Sequence, residues 1–249
     1  DVHHAAGRAV EADVGTVVAD VGDHITDDLF QVDPGRSGHF ASDDRYTEKS
    51  AHKLFARSAQ AFFEMYPIRT NAAEPKRVYR KVAYGPLLDV FFLDMRTYRD
   101  DNDGNRQPEP RNFLGAEQLA WLKAELAASK ATWKVIAADM PIGLIVRDGK
   151  DAFENMANGD GPVLGREFDI AEVLSFIKHA KIRNTVWLTA DVHYTAAHHY
   201  SPDRAEFQDF EPFWEFVSGP LHAGTFGPND YDNTFGVKAE FVKAPPEGE

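Results

Sequence analysis

The 249-residue sequence contains no cysteine. That excludes a disulfide framework, an iron–sulfur cluster, a cysteine zinc site and a cysteine nucleophile. It leaves the compartment open, since exported proteins can also lack cysteine. Long apolar runs are missing too: no uninterrupted stretch approaches the roughly 20 residues that a membrane span needs, so no membrane segment is expected. The chain opens Asp1-Val2-His3-His4, with neither the basic nor the apolar region of a signal peptide and with no initiator Met. It therefore reads as processed, or as beginning partway into a longer protein. Basic charge is in short supply, with 27 Lys and Arg against 40 Asp and Glu and a formal net charge of −13. Such a chain repels phosphate backbones, so no nucleic-acid partner is expected. The carboxylate excess is compatible with divalent cations, although for any single Asp or Glu surface solubility is the commoner reason.

Hydrophobic residues make up 43% and charged residues 27%, the balance of an ordinary globular chain. The length suits one large domain or two small ones, and the chain is read as a single domain over residues 1–249. Thr16–Val21, Leu87–Leu93, Trp133–Ala138 and Val186–Thr189 are apolar, β-branched runs and predict strands. Val78–Ala83 alternates like one arm of a hairpin. Apolar residues at three- and four-residue spacing predict helices over Lys49–Met65, stopped by Pro67, and over Gly115–Ser129 and Phe168–Ala180. Asp33–Tyr46, Asp100–Arg111 and Asp151–Gly165 are turn-rich and read as loops. The tail from Ser201 is rich in Phe, Gly and Pro and shows no clear period. Strands alternating with helices give an α/β fold.

Open α/β sheets bind ligands beyond the carboxyl ends of their strands, so the residues that follow each strand matter most. After Val186–Thr189 comes Ala190-Asp191-Val192-His193. In extended backbone this two-residue spacing puts carboxylate and imidazole on one side, where both can reach a shared cation. His198 and His199 lie slightly downstream. After the first run comes Gly22-Asp23-His24, followed by Asp27 and Asp28. After Leu87–Leu93 comes Asp94-Met95-Arg96, and then Arg99. Each has a bland alternative: a capping or loop pair for Asp-x-His, a helix cap for Asp27-Asp28, a structural ion pair for Asp94 and Arg96. Two Asp/His clusters behind two strands of one sheet form the usual layout of a metal-dependent hydrolase.

These segments resemble the alkaline phosphatase D (PhoD-like) family of metallophosphoesterases, in order along nearly the whole chain. Val186-Trp187-Leu188-Thr189-Ala190-Asp191-Val192-His193 is similar to the family's strand followed by Gly-Asp-Val-His. Leu93-Asp94-Met95-Arg96-Thr97-Tyr98-Arg99 is similar to its Leu-Asp-x-Arg-x-Tyr-Arg. Ala61–Arg69, Phe213-Trp214-Glu215-Phe216-Val217-Ser218-Gly219-Pro220 and Ala223-Gly224-Thr225-Phe226-Gly227-Pro228 match as well. Thr16–His24 aligns with the strand ending Trp-Asp-Asp-His-Glu: Asp23 and His24 are retained, Val21 and Gly22 replace the Trp and the first Asp, and Ile25 stands for the Glu or the Glu is deleted. The family places a first half, with a Cys, a bridging Asp and a Tyr that bind iron, before that strand. Here only Asp1–Gly15 precede it, so either the chain is a partial copy or the iron site is missing.

The resemblance implies a layered sandwich of mixed sheets flanked by helices, incomplete at its N-terminus if the chain is a partial copy. It also implies hydrolysis of phosphate mono- or diesters with calcium and iron as cofactors, on a small phosphate ester, in the periplasm or outside the cell. Asp23, Asp191 and His193 would be metal ligands, and His24 would protonate or stabilise the leaving alkoxide. Asp28, Arg96 and His198 would line the substrate side. The alternative is a catalytically inactive domain of the same family, acting as a metal-binding or structural module. Without the iron-binding half, the 249-residue chain by itself is expected to be weak or inactive.

Overall fold

The computed structural model describes residues 47, 50–66, 68–100, 102–220 and 224–245. The expected strand Thr16–Val21, and with it Asp23, His24 and Asp28, lies outside the described residues. The first helix, α1, runs Ala51–Met65 rather than from Lys49, because the Ser50 side chain caps it by accepting the Lys53 N–H. It ends where Tyr66 turns extended, as a residue before proline prefers. The expected hairpin arm is β1 (Arg80–Tyr84), antiparallel to β2 (Leu88–Phe92). Helix α2 (Ala116–Ala128) buries Leu119, Leu122 and Leu126 and leads to β3 (Trp133–Ala137). A short ribbon pairs β4 (Arg147–Asp148) with β5 (Ala152–Phe153), and β5 lies within the Asp151–Gly165 segment expected to be loop. Helix α3 (Glu167–His179) carries Glu167 and Asp169 in its first turn and Lys178 and His179 in its last, charges that oppose the helix dipole. It is followed by β6 (Thr185–Thr189).

Three further strands complete the sheet: β7 (Thr195–Tyr200), β8 (Phe213–Val217) and β9 (Val237–Lys243). The last two lie in the tail read as having no period, and sequence reasoning missed all three. The seven-stranded order is β1-β2-β3-β6-β8-β7-β9. The central β2, β3, β6 and β8 are mutually parallel, while β1, β7 and β9 are antiparallel to their neighbours. The fold is thus α/β, a mixed sheet with few helices. No helix among the described residues is long and apolar enough to cross a membrane.

The main core joins Phe91, Ile136, Trp187 and Phe213 of the sheet to Leu119, Leu122 and Leu126 of α2 and to Ile170, Val173, Leu174 and Ile177 of α3. On the other sheet face Leu188, Trp214, Phe216 and Phe241 stay exposed, although parallel strands are usually covered on both sides. The alternation in β8 is unusual in kind: Phe213, Glu215 and Val217 point into the core, and Trp214 and Phe216 outward. With α2 and α3 packed on one face and the four parallel strands running the same way, the residues after β2, β3 and β6 gather at one edge.

Candidate functional site

Three aspartates follow the parallel strands: Asp94 after β2, Asp139 after β3 and Asp191 after β6. Asp94 serves the backbone. Its Oδ1 accepts the N–H groups of Arg96 (3.1 Å) and Thr97 (2.8 Å), closing a turn. Gln118 of α2 clamps the same turn, accepting from the Asp94 N–H and donating to its carbonyl, both at 2.8 Å. The turn aims Arg96 inward, where its side chain is 1% exposed.

Arg96 pairs with the other two aspartates and with Glu154. Its Nη2 donates to Asp191 Oδ1 at 2.6 Å, its Nη1 to Glu154 Oε1, and its Nε lies 3.6 Å from Asp139 Oδ2. Burial alone would weaken the guanidinium's charged form, but the three carboxylates outweigh it and hold its pKa above the ordinary arginine value. Burial pushes the Asp139 carboxyl up to about 6, against the pull of Arg96. Glu154 is held below the usual range because Arg96 and Arg99 outweigh its burial. The Asp94–Arg96 contact considered from sequence is therefore a backbone turn, and the guanidinium's partners come from β3, β6 and the β5 loop.

Asp191 and His193 do not sit in extended backbone. Asp191 has φ 70°, in the left-handed region that aspartate tolerates better than most residues, and the Val192 N–H bonds to the Ala190 carbonyl at 2.9 Å. This tight turn, rather than strand alternation, directs Asp191 to Arg96. His193 Nδ1 lies 2.5 Å from the Gly224 carbonyl oxygen, and its ring centroid is 4.5 Å from that of Phe226. A carbonyl only accepts, so Nδ1 carries the proton and, in the neutral ring, Nε2 keeps the lone pair. Metal-ligating histidines are commonly oriented in this way.

The structure thus brings Arg96 and Asp191 together. It places His198 elsewhere: fully buried on β7, with Nδ1 2.9 Å from Glu215 Oε2. Sequence reasoning missed Asp139, Glu154 and Glu215. Asp139 carried a usable signal, standing directly after a predicted strand as Asp94 and Asp191 do. Glu154 carried none, in a segment read as loop.

Among the described residues no group of three or more His, Asp or Glu is arranged to hold a metal ion. The donors nevertheless fit one in part. Asp191 supplies carboxylate oxygen, His193 presents Nε2, and one guanidinium faces three carboxylates. Carboxylate oxygen suits hard cations and imidazole suits transition metals.

The sequence pattern of PhoD-like phosphatases matches residues 8–248. Alkaline phosphatase D of Bacillus subtilis (strain 168) is 36% identical over 151 residues, 55% of this chain and 25% of that protein. A solved structure titled "Structure of PhoD" is similar with a TM-score of 0.50 and 27% identity, over 69% of this chain and 35% of that one. The chain spans between a quarter and about a third of the length of these relatives. With the family pattern running almost from end to end, and the Asp-x-His turn and the Arg96 turn at the strand ends of the same kind of sheet, the chain belongs to the PhoD-like phosphatase family.

Proposed function

We propose that this chain carries part of the active site of a metal-dependent phosphoesterase acting on small phosphate mono- or diesters. The observation that carries the reading is the strand-end cluster: Asp191 and His193 one residue apart, with Asp191 locked by a buried arginine shared among three carboxylates. A phosphate ester resists attack because its own charge repels nucleophiles, and a bound cation neutralises that charge and supplies an activated water. Asp191 and His193 would hold the cation, together with Asp23 as the family resemblance implies. By the same resemblance His24 would donate a proton to the leaving alkoxide or stabilise its charge, and Asp28 would serve the substrate side. Arg96, fully engaged by carboxylates, holds Asp191 and Glu154 in place, and His198 acts from behind through Glu215. Calcium fits the oxygen donors. An iron site of the thiolate kind does not fit a sequence with no cysteine. Family resemblance places the enzyme in the periplasm or outside the cell.

The test is hydrolysis of p-nitrophenyl phosphate and bis-p-nitrophenyl phosphate by the complete protein, with Ca²⁺, Mn²⁺ or Fe³⁺ added and after chelation. Asp191→Ala abolishes turnover and cation binding together. His24→Ala leaves the cation bound and lowers the rate by about 10²–10⁴. Undiminished turnover in Asp191→Ala would refute the reading. Cation binding without turnover in the wild type would favour the inactive-module alternative, which the Ile25 position and the lack of cysteine already motivate.

A further inference from the structure

Glu215 is the most fully engaged buried carboxylate among the described residues, and the chemistry at the strand ends does not use it directly. It sits mid-strand on β8 with 0% exposure. Burying a carboxylate costs several kcal/mol unless hydrogen bonds compensate, and here four donors converge on its two oxygens. Oε1 accepts the Ile142 N–H at 2.8 Å and the Thr189 hydroxyl at 3.0 Å. Oε2 accepts from His198 Nδ1 at 2.9 Å and from the Tyr200 hydroxyl at 2.6 Å. The Tyr200 oxygen in turn accepts the Gly143 N–H at 2.8 Å. Burial and the Glu215 charge push the Tyr200 hydroxyl well above its usual pKa, so it stays a donor.

The two oxygens have different duties. His198 and Tyr200 belong to β7, the strand paired with β8, and anchor the carboxylate within the sheet. Thr189 and Ile142 belong to the site. Thr189 is the last residue of β6, two before Asp191, and its carbonyl also takes the Ser218 N–H at 2.9 Å. Ile142 lies three residues after Asp139. One carboxylate oxygen therefore ties together the two segments whose aspartates meet at Arg96.

We propose that Glu215 is a positioning residue: through Thr189 and Ile142 it fixes the spacing of the β6 and β3 ends, and so aims Asp191 at the cation. This rests on the phosphoesterase reading for its catalytic consequence, but not for its geometry. Glu215→Leu cuts the whole hub. Thr189→Val cuts only the leg to Asp191, and it decides the matter alone if Glu215→Leu does not fold. Glu215→Gln is the rescue: its amide oxygen can serve Ile142 and Thr189, and its amide NH₂ can face the Tyr200 oxygen and a His198 ring in the other tautomer. Leu126→Ala, a buried core change far from the strand ends, lowers stability without touching the hub.

Three quantities are read on the complete protein: Ca²⁺ and Mn²⁺ binding by calorimetry, kcat and KM on p-nitrophenyl phosphate, and the side-chain carboxylate ¹³C resonance of Asp191. Glu215→Leu and Thr189→Val weaken cation binding by about 10–100-fold and lower kcat more than they raise KM. They also move the Asp191 resonance, while Glu215→Gln returns all three close to wild type. An Asp191 resonance unmoved by both Glu215→Leu and Thr189→Val overturns the proposal, as does an equal loss in Leu126→Ala at matched melting temperature. If the wild type neither binds cation nor turns over, the phosphoesterase reading fails, and the Asp191 resonance still decides the role of Glu215.

Discussion

Glu167 makes a test of how burial sets the stability of this fold. It is the first residue of α3, and its side chain is buried. Oε2 accepts the Leu164 N–H at 2.9 Å, whereas Oε1 has no hydrogen-bond partner. Burial, reinforced by the nearby Asp232 charge, raises its pKa from 4.5 to about 9. The sign follows from proton counting. Below pH 4.5 the side chain is protonated in both folded and unfolded chains and contributes nothing to the pH dependence. Between 4.5 and about 9 the unfolded chain has released the proton and the folded chain keeps it, so raising the pH favours unfolding. Above about 9 the loss is complete and flat. At ~1.4 kcal/mol per unit, the penalty is about 3 kcal/mol at pH 7 and about 6 kcal/mol at pH 9 as an upper figure.

Glu167→Gln removes the ionisation. Its amide NH₂ inherits the position of the unpartnered oxygen, at a pH-independent cost of about 1–3 kcal/mol for an unsatisfied donor. The variant is therefore less stable than wild type at pH 5, equal to it near pH 6, and more stable at pH 8–9. Urea unfolding of both proteins at half-unit steps from pH 4.5 to 9.5 measures the difference. The crossing point depends on the amide's environment, but the slope does not: the difference should change by about 1.4 kcal/mol per pH unit through the middle of the window. Parallel stability curves for the two proteins would refute the argument, because they would mean that Glu167 ionises normally in the folded chain.

Two further predictions come from single contacts. Arg96→Met leaves Asp139, Glu154 and Asp191 facing one another in a buried site, and should cost about 3–5 kcal/mol in urea unfolding. A loss below about 1 kcal/mol would show that the cluster is open to water. Gly165→Ala forces a Cβ to 2.2 Å from Asn105 Oδ1 at a residue with φ 53°. Asn105 cannot easily yield, since its Oδ1 accepts the Arg166 N–H at 2.7 Å and its Nδ2 donates to the Met156 carbonyl. The left-handed backbone costs about 1–2 kcal/mol for alanine, and the clash adds to it. At about 2–4 °C per kcal/mol for a chain of this size, calorimetry should show a melting temperature lower by about 5–10 °C.

What was legible in the sequence follows from where each element lies. The helices announce themselves because each is covered on one side only: Leu119, Leu122 and Leu126 give α2 its stripe. β2, β3 and β6 read as strands because each is mostly apolar, with one polar residue inside β2 (Asp89) and one inside β3 (Lys134), as inner parallel strands tend to be. β8 fails that test because its inward face holds Glu215 between Phe213 and Val217, while Trp214 and Phe216 face outward. Apolar residues on both faces and a charge inside cancel the alternation. β7 hides for the same reason, since its buried residues include His198. In β9, by contrast, Val237, Ala239 and Phe241 do alternate with charged residues, and the Phe-, Gly- and Pro-rich surroundings masked the pattern. Looking at strand ends singled out Arg96 and Asp191, which the structure pairs, but nothing in one sequence says which acids of a chain with 40 will meet a given arginine.

The two sides of Asp191 explain why that residue can be held so tightly. Its left-handed backbone is strained by about 1–3 kcal/mol for a non-glycine residue. A charge-assisted hydrogen bond to Arg96 stabilises by a similar amount, about 1.5–3 kcal/mol, so the ion pair alone only offsets the turn. The chain behind it adds to the hold. Thr189, two residues before it, is held through its hydroxyl by Glu215 and through its carbonyl by the Ser218 N–H. Arg96 holds the carboxylate from the front, and Glu215, in the role proposed for it, fixes the backbone from behind. This is why an interior glutamate and an interior arginine, each costly to bury, accompany a single aspartate at the end of β6.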